Sequence, residues 1–293
     1  MGPDFIGIGA QRAGTSWIYA CLYEHPEVCA PRKELHFFSR DRNWSKGRDW
    51  YEKQFKECSS NQTIGEWSTS YLTEAHTAQR IREYYPDVRI TVSMRNPVDR
   101  AFSQYKNDIM DGQLNPETSF EEALESDKKY VEMSRYKQHL ERYFERFDEE
   151  QIGLFIYEDG KNDPETFIRS IYDFLGVNDR FTPSMLHEQV NPGRAPRFNS
   201  LERCLNKTSE WFQNSSLLRP FWWFAKKSGL GTLLRGANTQ KEAVQPPKPN
   251  TRSRLRETFQ ADIEYVSQKT GHSLTQWKEA NENKTNHIHG SQT

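Results

Sequence analysis

The stretch Gly9-Ala-Gln-Arg-Ala-Gly14-Thr15-Ser16 constrains this chain more tightly than any other. It follows Phe5 to Gly9 (FIGIG), a short apolar run that reads as a buried strand. It precedes a helical stretch from Gly14 to Glu24 that stops near His25-Pro26. A strand, a Gly-containing turn and a helix N-terminus in this order make an anion site, because successive backbone N–H groups and the helix dipole converge on one spot. Thr15 and Ser16 add hydroxyl donors. The glycine spacing matches G-x-x-x-x-G-K-[ST], but Thr15 stands at the lysine position and the cation has moved into the loop, at Arg12. The pattern therefore points to a phosphate-bearing ligand handled without Mg²⁺-dependent NTP hydrolysis.

The same alternation recurs downstream. Val88 to Met94 (VRITVSM) reads as a second strand, and Asn96-Pro97 opens a helix with proline in its favoured first turn. Ile152 to Tyr157 (IGLFIY) reads as a third strand, followed by an amphipathic helix over Pro164 to Leu175 that Gly176 stops. Helices are also expected over Arg135 to Phe147, Asn199 to Phe212 and Thr251 to Lys269, with a polyproline-like connector at Gln245 to Pro249. Strands alternating with helices predict an α/β fold, a three-layer sandwich with a central parallel sheet and a P-loop-like phosphate-binding loop. Ligands in such sheets bind at the carboxyl ends of the strands. One domain is expected over residues 1–280. Its aromatic, basic stretch Leu217 to Leu234, within 217–245, could be a substrate lid, an oligomer contact, a peripheral membrane segment or an amphipathic segment packed on the domain. Residues 281–293 read as a polar, disordered tail.

Composition narrows the function classes. With 40 Lys+Arg against 41 Asp+Glu in 293 residues, overall charge does not drive nucleic-acid binding. No apolar run is long enough to span a bilayer. Met1-Gly2-Pro3-Asp4 leads into FIGIG without a cationic segment, so a cytoplasmic location is expected. Cys21, Cys29, Cys58 and Cys204 form no C-x-x-C pair, and reduced thiols are expected. Sequons at Asn43, Asn61, Asn206, Asn214 and Asn283 read as chance matches in that compartment.

Two motifs now carry a resemblance. IGIGAQRAGTSW resembles the 5′-phosphosulfate loop of sulfotransferases that use 3′-phosphoadenylyl sulfate (PAPS) and release 3′-phosphoadenosine 5′-phosphate (PAP). The family usually has Lys at Arg12. Val92-Ser-Met-Arg95 followed by Ser103 resembles the family's 3′-phosphate motif, in which a fixed cation and a hydroxyl take the terminal phosphate. The resemblance implies that Gln11, Arg12, Ala13, Gly14, Thr15, Ser16, Arg95 and Ser103 bind the nucleotide, with Trp17 stacking on adenine or packing the core. It implies no metal. Arg100 reads as a helix-surface ion pair. A third nucleotide element near the C-terminus has several candidates: Arg194, Arg197, Arg235, Lys241 and Lys248.

Lys33-Glu34-Leu-His36-Phe-Phe38 follows a short strand predicted at VCAP, whose alternation places Glu34 and His36 on one face. Sulfuryl transfer to a hydroxyl, or less readily an amine, needs a base for the acceptor proton and cations around the leaving phosphate. KELHFF and the following SKGRDWYEKQF resemble the segment of glycan sulfotransferases that carries the catalytic glutamate. Glu34 is the base on this reading; His36 orients Glu34 or the acceptor, or is itself the base. Glu66 is the second-choice base, or a structural carboxylate. Glycan enzymes often have Lys at Trp67; the aromatic residue here weakens a highly anionic polysaccharide as substrate and offers a floor for a sugar, a planar ring or an apolar chain. Tyr157-Glu158-Asp159 reads as structural. Acceptors remain open among small molecules, lipids and glycans. The competing readings are a P-loop small-molecule kinase, which Thr15 disfavours, and a noncatalytic module on the same fold.

Overall fold

The computed structural model describes residues 1–188 and 244–278, together with the backbone of the short antiparallel pair Ala195–Pro196 and Thr239–Gln240. The stretch 217–234, the expected helix over Asn199 to Phe212 and the tail 281–293 lie outside the described residues. The chain begins β1 (Phe5–Gly9), α1 (Thr15–Glu24), β2 (Val28–Cys29), α2 (Asp41–Trp44), α3 (Gly47–Glu52) and β3 (Thr63–Trp67). It continues α4 (Thr77–Tyr84), β4 (Arg89–Met94), α5 (Pro97–Met110), α6 (Phe120–Ser126), α7 (Lys129–Glu132) and α8 (Tyr136–Phe144). Then come β5 (Ile152–Ile156), α9 (Tyr157–Asn162) and α10 (Pro164–Leu175), with later helices over Pro249–Thr258, Gln260–Thr270 and Thr275–Lys278. The expected C-terminal helix is thus two, separated at Phe259, whose backbone leaves the helical region (φ −100°, ψ 7°).

The five strands form one parallel sheet in the order β2-β3-β1-β4-β5. β1 is central, with Ile6 beside Glu66 on one side and Ile90 on the other. From β1 the chain goes to the edge strand β2, returns inward to β3, and then crosses β1 to β4 and β5. The carboxyl end of β1 is therefore the switch point at which a ligand crevice is expected. Every residue of β1 is buried. Gly7 is required there: a Cβ would lie 2.1 Å from the Trp67 ring packed on it.

The capping chemistry works as the residue types predict. Asp163 caps α10 by accepting from Thr166 N at 3.1 Å, Pro164 takes the first turn, and Gly176 closes the helix at φ 73°. Asn96 Oδ1 accepts from Val98 N at 3.0 Å and starts α5. One expectation is corrected by chemistry in space: Cys29 and Cys58 are joined in a disulfide across a sequence separation of 29. Neither cysteine sits in a motif, and only folding brings the end of β2 to the turn before β3.

The chain groups into two compact units. The first comprises Met1–Arg100, Met133–Val190 and Ser253–Thr293 and holds the parallel sheet. The second comprises Ala101–Glu132 and Asn191–Arg252. In the second, Asp108 is buried, accepting from Gln104 at 2.8 Å and Tyr130 at 2.7 Å and paired with Lys129 at 2.9 Å.

Candidate active site

The turn after β1 is pinned to β4. Ser93 Oγ donates to Ala13 O at 2.7 Å, Ala10 N donates to Ser93 O at 2.7 Å, and Ala13 N closes the turn on Ala10 O at 3.2 Å. Arg12 and Gly14 both have left-handed backbones, at φ 72° and 76°. Gly14 has a further reason to lack a side chain, because a Cβ would meet the Tyr157 ring at 2.7 Å. Gly14 is also the N-cap of α1, and no side chain caps that helix. Trp17 N and Ile18 N both donate to Gly14 O, at 3.0 and 3.1 Å, which leaves the N–H groups of Thr15 and Ser16 as the helix's positive end beside the turn. Arg95, at the end of β4, donates from Nη1 to Arg12 O at 3.3 Å and lies 5.0 Å over the Tyr157 ring. Tyr136 fixes Arg95 from behind, donating to its carbonyl at 2.8 Å. Ser103 lies on the part of α5 that belongs to the second unit and is buried.

Glu34 and His36 do meet, for a different reason than alternation. β2 ends at Cys29, and Lys33 makes only an isolated parallel bridge with Trp67. Glu34 and His36 are both left-handed, at φ 59° and 50°. This turn holds because β3 and the residues after it satisfy its backbone. Glu34 N donates to Trp67 O at 2.8 Å, His36 N to Ser68 Oγ at 3.0 Å, and Phe37 N to Tyr71 Oη at 2.9 Å. Phe37 and Phe38 are fully buried in an aromatic cluster with Trp44, Tyr51 and Tyr71 and act as its anchors.

The result is a preset carboxylate. Glu34 Oε2 accepts from Thr69 N at 3.0 Å, and Oε1 accepts from Thr69 Oγ1 at 3.0 Å. His36 Nε2 lies 3.5 Å from Glu34 Oε2, and its Nδ1 lies 2.7 Å from Ser70 Oγ. An imidazole accepting from Ser70 carries its hydrogen on Nε2, toward Glu34. Burial holds the His36 imidazole below the usual histidine range against the pull of Glu34, with Arg40, Arg42 and Lys33 pushing the same way as burial. Lys33 completes the cluster. Its Nζ is 3.3 Å from Glu34 Oε1 and 3.1 Å from Ser16 Oγ, so it ties the carboxylate to the phosphate turn. Among the described residues, the non-glycine residues at positive φ are Arg12, Glu34, His36 and Leu274. Three of the four are the side chains assigned to chemistry, and such backbone strain collects where function over-determines conformation.

Residues 2–219 match the sequence profile of the sulfotransferase domain. The chain belongs to the sulfotransferase family. Over 216 residues it is 27% identical to heparan sulfate glucosamine 3-O-sulfotransferase 5 of Mus musculus, covering 69% of this chain and 62% of that one. Over 219 residues it is 27% identical to heparan sulfate glucosamine 3-O-sulfotransferase 6 of Homo sapiens, covering 70% and 63%. It thus spans less than two thirds of the length of these relatives. The crystal structure of a sulfotransferase from Alicyclobacillus acidocaldarius shares the fold, with a TM-score of 0.69 at 24% identity over 95% of this chain and 100% of that one.

In this chain several expected side chains have other surroundings. Trp67 is no floor for an acceptor: it is fully buried, packed on Gly7, with its indole N–H lacking a hydrogen-bond partner among the described residues. Arg100 is not on a helix surface but fully buried, donating to Ser134 Oγ. Trp17 is half-buried, stacked on Phe167 at 5.8 Å and donating to Met185 O at 3.0 Å, so its ring is held by packing. Glu158, read as structural, accepts from Asn96 N at 3.0 Å and Trp277 Nε1 at 3.1 Å and so braces the start of α5. Of the candidates for a third nucleotide element, Arg194, Arg197, Arg235 and Lys241 lie outside the described residues; Lys248 is exposed in the second unit.

Glu66 is structural in a specific way. It is fully buried on β3 and accepts from Tyr71 Oη at 2.6 Å, Ser68 Oγ at 2.7 Å and Tyr51 Oη at 3.1 Å. Ser68 and Tyr71 are the same groups that receive the N–H of His36 and Phe37. Burial pushes the Glu66 carboxyl up to about 7, against the pull of these three donors. A folded-state value above the unfolded one means that the native chain binds the extra proton. This contribution is fully present below about pH 4.5 and is lost as pH rises through 7. It amounts to about 3 kcal/mol. Denaturant melts of wild type and Glu66→Gln should therefore differ in slope between about pH 4.5 and 7 and become parallel about two pH units beyond each end of that window. Parallel curves would show Glu66 ionised throughout.

Proposed function

We propose that this chain moves a sulfuryl group from PAPS to an acceptor hydroxyl, or less readily an amine, and releases PAP. The observation that carries the reading is the Glu34 carboxylate, held beside the hydroxyls of an anion-binding turn by Lys33. The turn, with Gln11, Arg12, Ala13, Gly14, Thr15 and Ser16, takes the 5′-phosphosulfate. Arg95 takes the 3′-phosphate, and Trp17, pinned by its indole N–H, offers its remaining surface to adenine. Glu34 accepts the acceptor proton as the acceptor oxygen bonds to sulfur. The bond from sulfur to the 5′-phosphate oxygen breaks, and Arg12 and the turn amides take up the charge on the departing PAP. His36, short of a full charge near neutral pH, orients Glu34 or the acceptor. The relatives named for heparan sulfate make a glycan hydroxyl the first acceptor class to test, ahead of small molecules and lipids. No helix among the described residues is long and apolar enough to cross a membrane. The Cys29–Cys58 disulfide favours an oxidising compartment over the cytoplasm that the sequence led one to expect.

The test is binding without metal. PAP at about a hundred times its Kd should stabilise the native chain by about 2.7 kcal/mol, read as a rise in Tm in the presence of EDTA. No shift with PAP together with a shift on MgATP would replace this reading with the kinase. A screen of hydroxylated glycans, lipids and metabolites for PAPS-dependent PAP release then names the acceptor.

A further inference from the structure

The proposed mechanism uses Lys33 to hold Glu34 and gives its ammonium no contact with the transferred group. In the sequence Lys33 opens the KELHFF run but carries no assigned role. In the structure its Nζ touches three groups: Ser16 Oγ at 3.1 Å, Thr15 Oγ1 at 3.5 Å and Glu34 Oε1 at 3.3 Å. Its side chain is 21% exposed. Its backbone is tied to the end of β3 by the isolated bridge to Trp67 and by the following Glu34 N–H on Trp67 O.

We propose that Lys33 is a catalytic residue that holds the nonbridging oxygens of the sulfuryl group during its transfer. The proposal rests on the sulfotransferase reading of the site. The two hydroxyls mark the end of the site that receives the 5′-phosphate. Glu34 marks the end where the acceptor loses its proton. One ammonium contacts both ends, so a group passing from the first to the second passes within its reach. The step balances without further reactants: the acceptor oxygen bonds to sulfur, its proton goes to Glu34, and the electron pair of the breaking sulfur–oxygen bond stays on the 5′-phosphate of PAP. Lys33 keeps its own proton throughout and offers N–H donors to oxygens that remain anionic from start to finish. Lysine suits the task because its ammonium is a compact charge on a flexible stem and can follow the moving group.

PAPS carries the sulfuryl group and PAP does not, so the two ligands isolate this contact without knowledge of the acceptor. Equilibrium binding of each to the full chain should show Lys33→Ala raising the Kd for PAPS about tenfold or more. The Kd for PAP should stay within about twofold. Lys33→Arg should restore most of the PAPS affinity, which a purely structural role would not require. Equal weakening of both ligands would make Lys33 a 5′-phosphate ligand and overturn the proposal; so would unchanged affinity for both. Wild-type protein that binds neither ligand would instead remove the sulfotransferase reading beneath it.

Discussion

Glu34→Gln leaves PAP binding intact and lowers turnover by about 10²–10⁴-fold, the range that general-base catalysis contributes. The substitution keeps the shape of the side chain; its amide oxygen still accepts from Thr69 N and its NH2 can donate to Thr69 Oγ1, so the left-handed turn at Glu34 persists. What it removes is the capacity to take a proton. The measurement is PAP release with an accepting hydroxyl, alongside Kd for PAP by calorimetry. If Glu34→Gln turns over normally, the carboxylate is no base. His36, 3.5 Å away, then inherits the role, and His36→Gln should be the inactive variant. Glu66 is a poor substitute, because its oxygens face Tyr51, Ser68 and Tyr71 in the interior.

Arg12→Ala is the second large effect. Arg12 has a left-handed backbone inside the turn after β1, and Arg95 donates to its carbonyl. Alanine leaves that backbone and the neighbouring N–H groups in place and removes only the guanidinium. Loss of one preorganised donor to developing charge costs about 10²–10³ in kcat. Affinity for PAP should fall much less, because the turn amides and the N-terminus of α1 still face the phosphate. Arg12→Lys should retain much of the activity, since a point charge also serves a phosphate. Turnover that survives Arg12→Ala unchanged would take the residue out of the chemistry. Equal losses in PAP affinity and kcat would make it a ground-state ligand.

How much could be read from the residues depends on whether the cause was local. The turn after β1, the strand β4 with its proline-started helix, and α10 with its aspartate cap and glycine stop were all legible, because each is specified within a dozen residues. The pairing of Glu34 with His36 was expected from strand alternation and arises instead from a left-handed turn. Its cause is Ser68, Tyr71 and Trp67, more than thirty residues away in sequence. Lys33 was missed for the same reason, since its partners Thr15 and Ser16 come from α1. Trp67 misled because β3 is an inner strand of a parallel sheet. Glu66 and Trp67 are both fully buried there, so alternation says which face each takes but not which one meets solvent. Arg100 and the Cys29–Cys58 pair are further cases in which position in space, not type, decides the role.

The disulfide has one more consequence. Cys29 and Cys58 enclose Lys33, Glu34, His36 and the aromatic anchors Phe37, Phe38, Trp44 and Tyr51, so the proposed catalytic base sits in a covalent ring. A protease that cuts once inside that ring leaves both new ends tethered. The nicked chain keeps its full mass on a gel until a reductant is added, and the piece that carries Glu34 stays joined to the fold at one end while the cut frees the other.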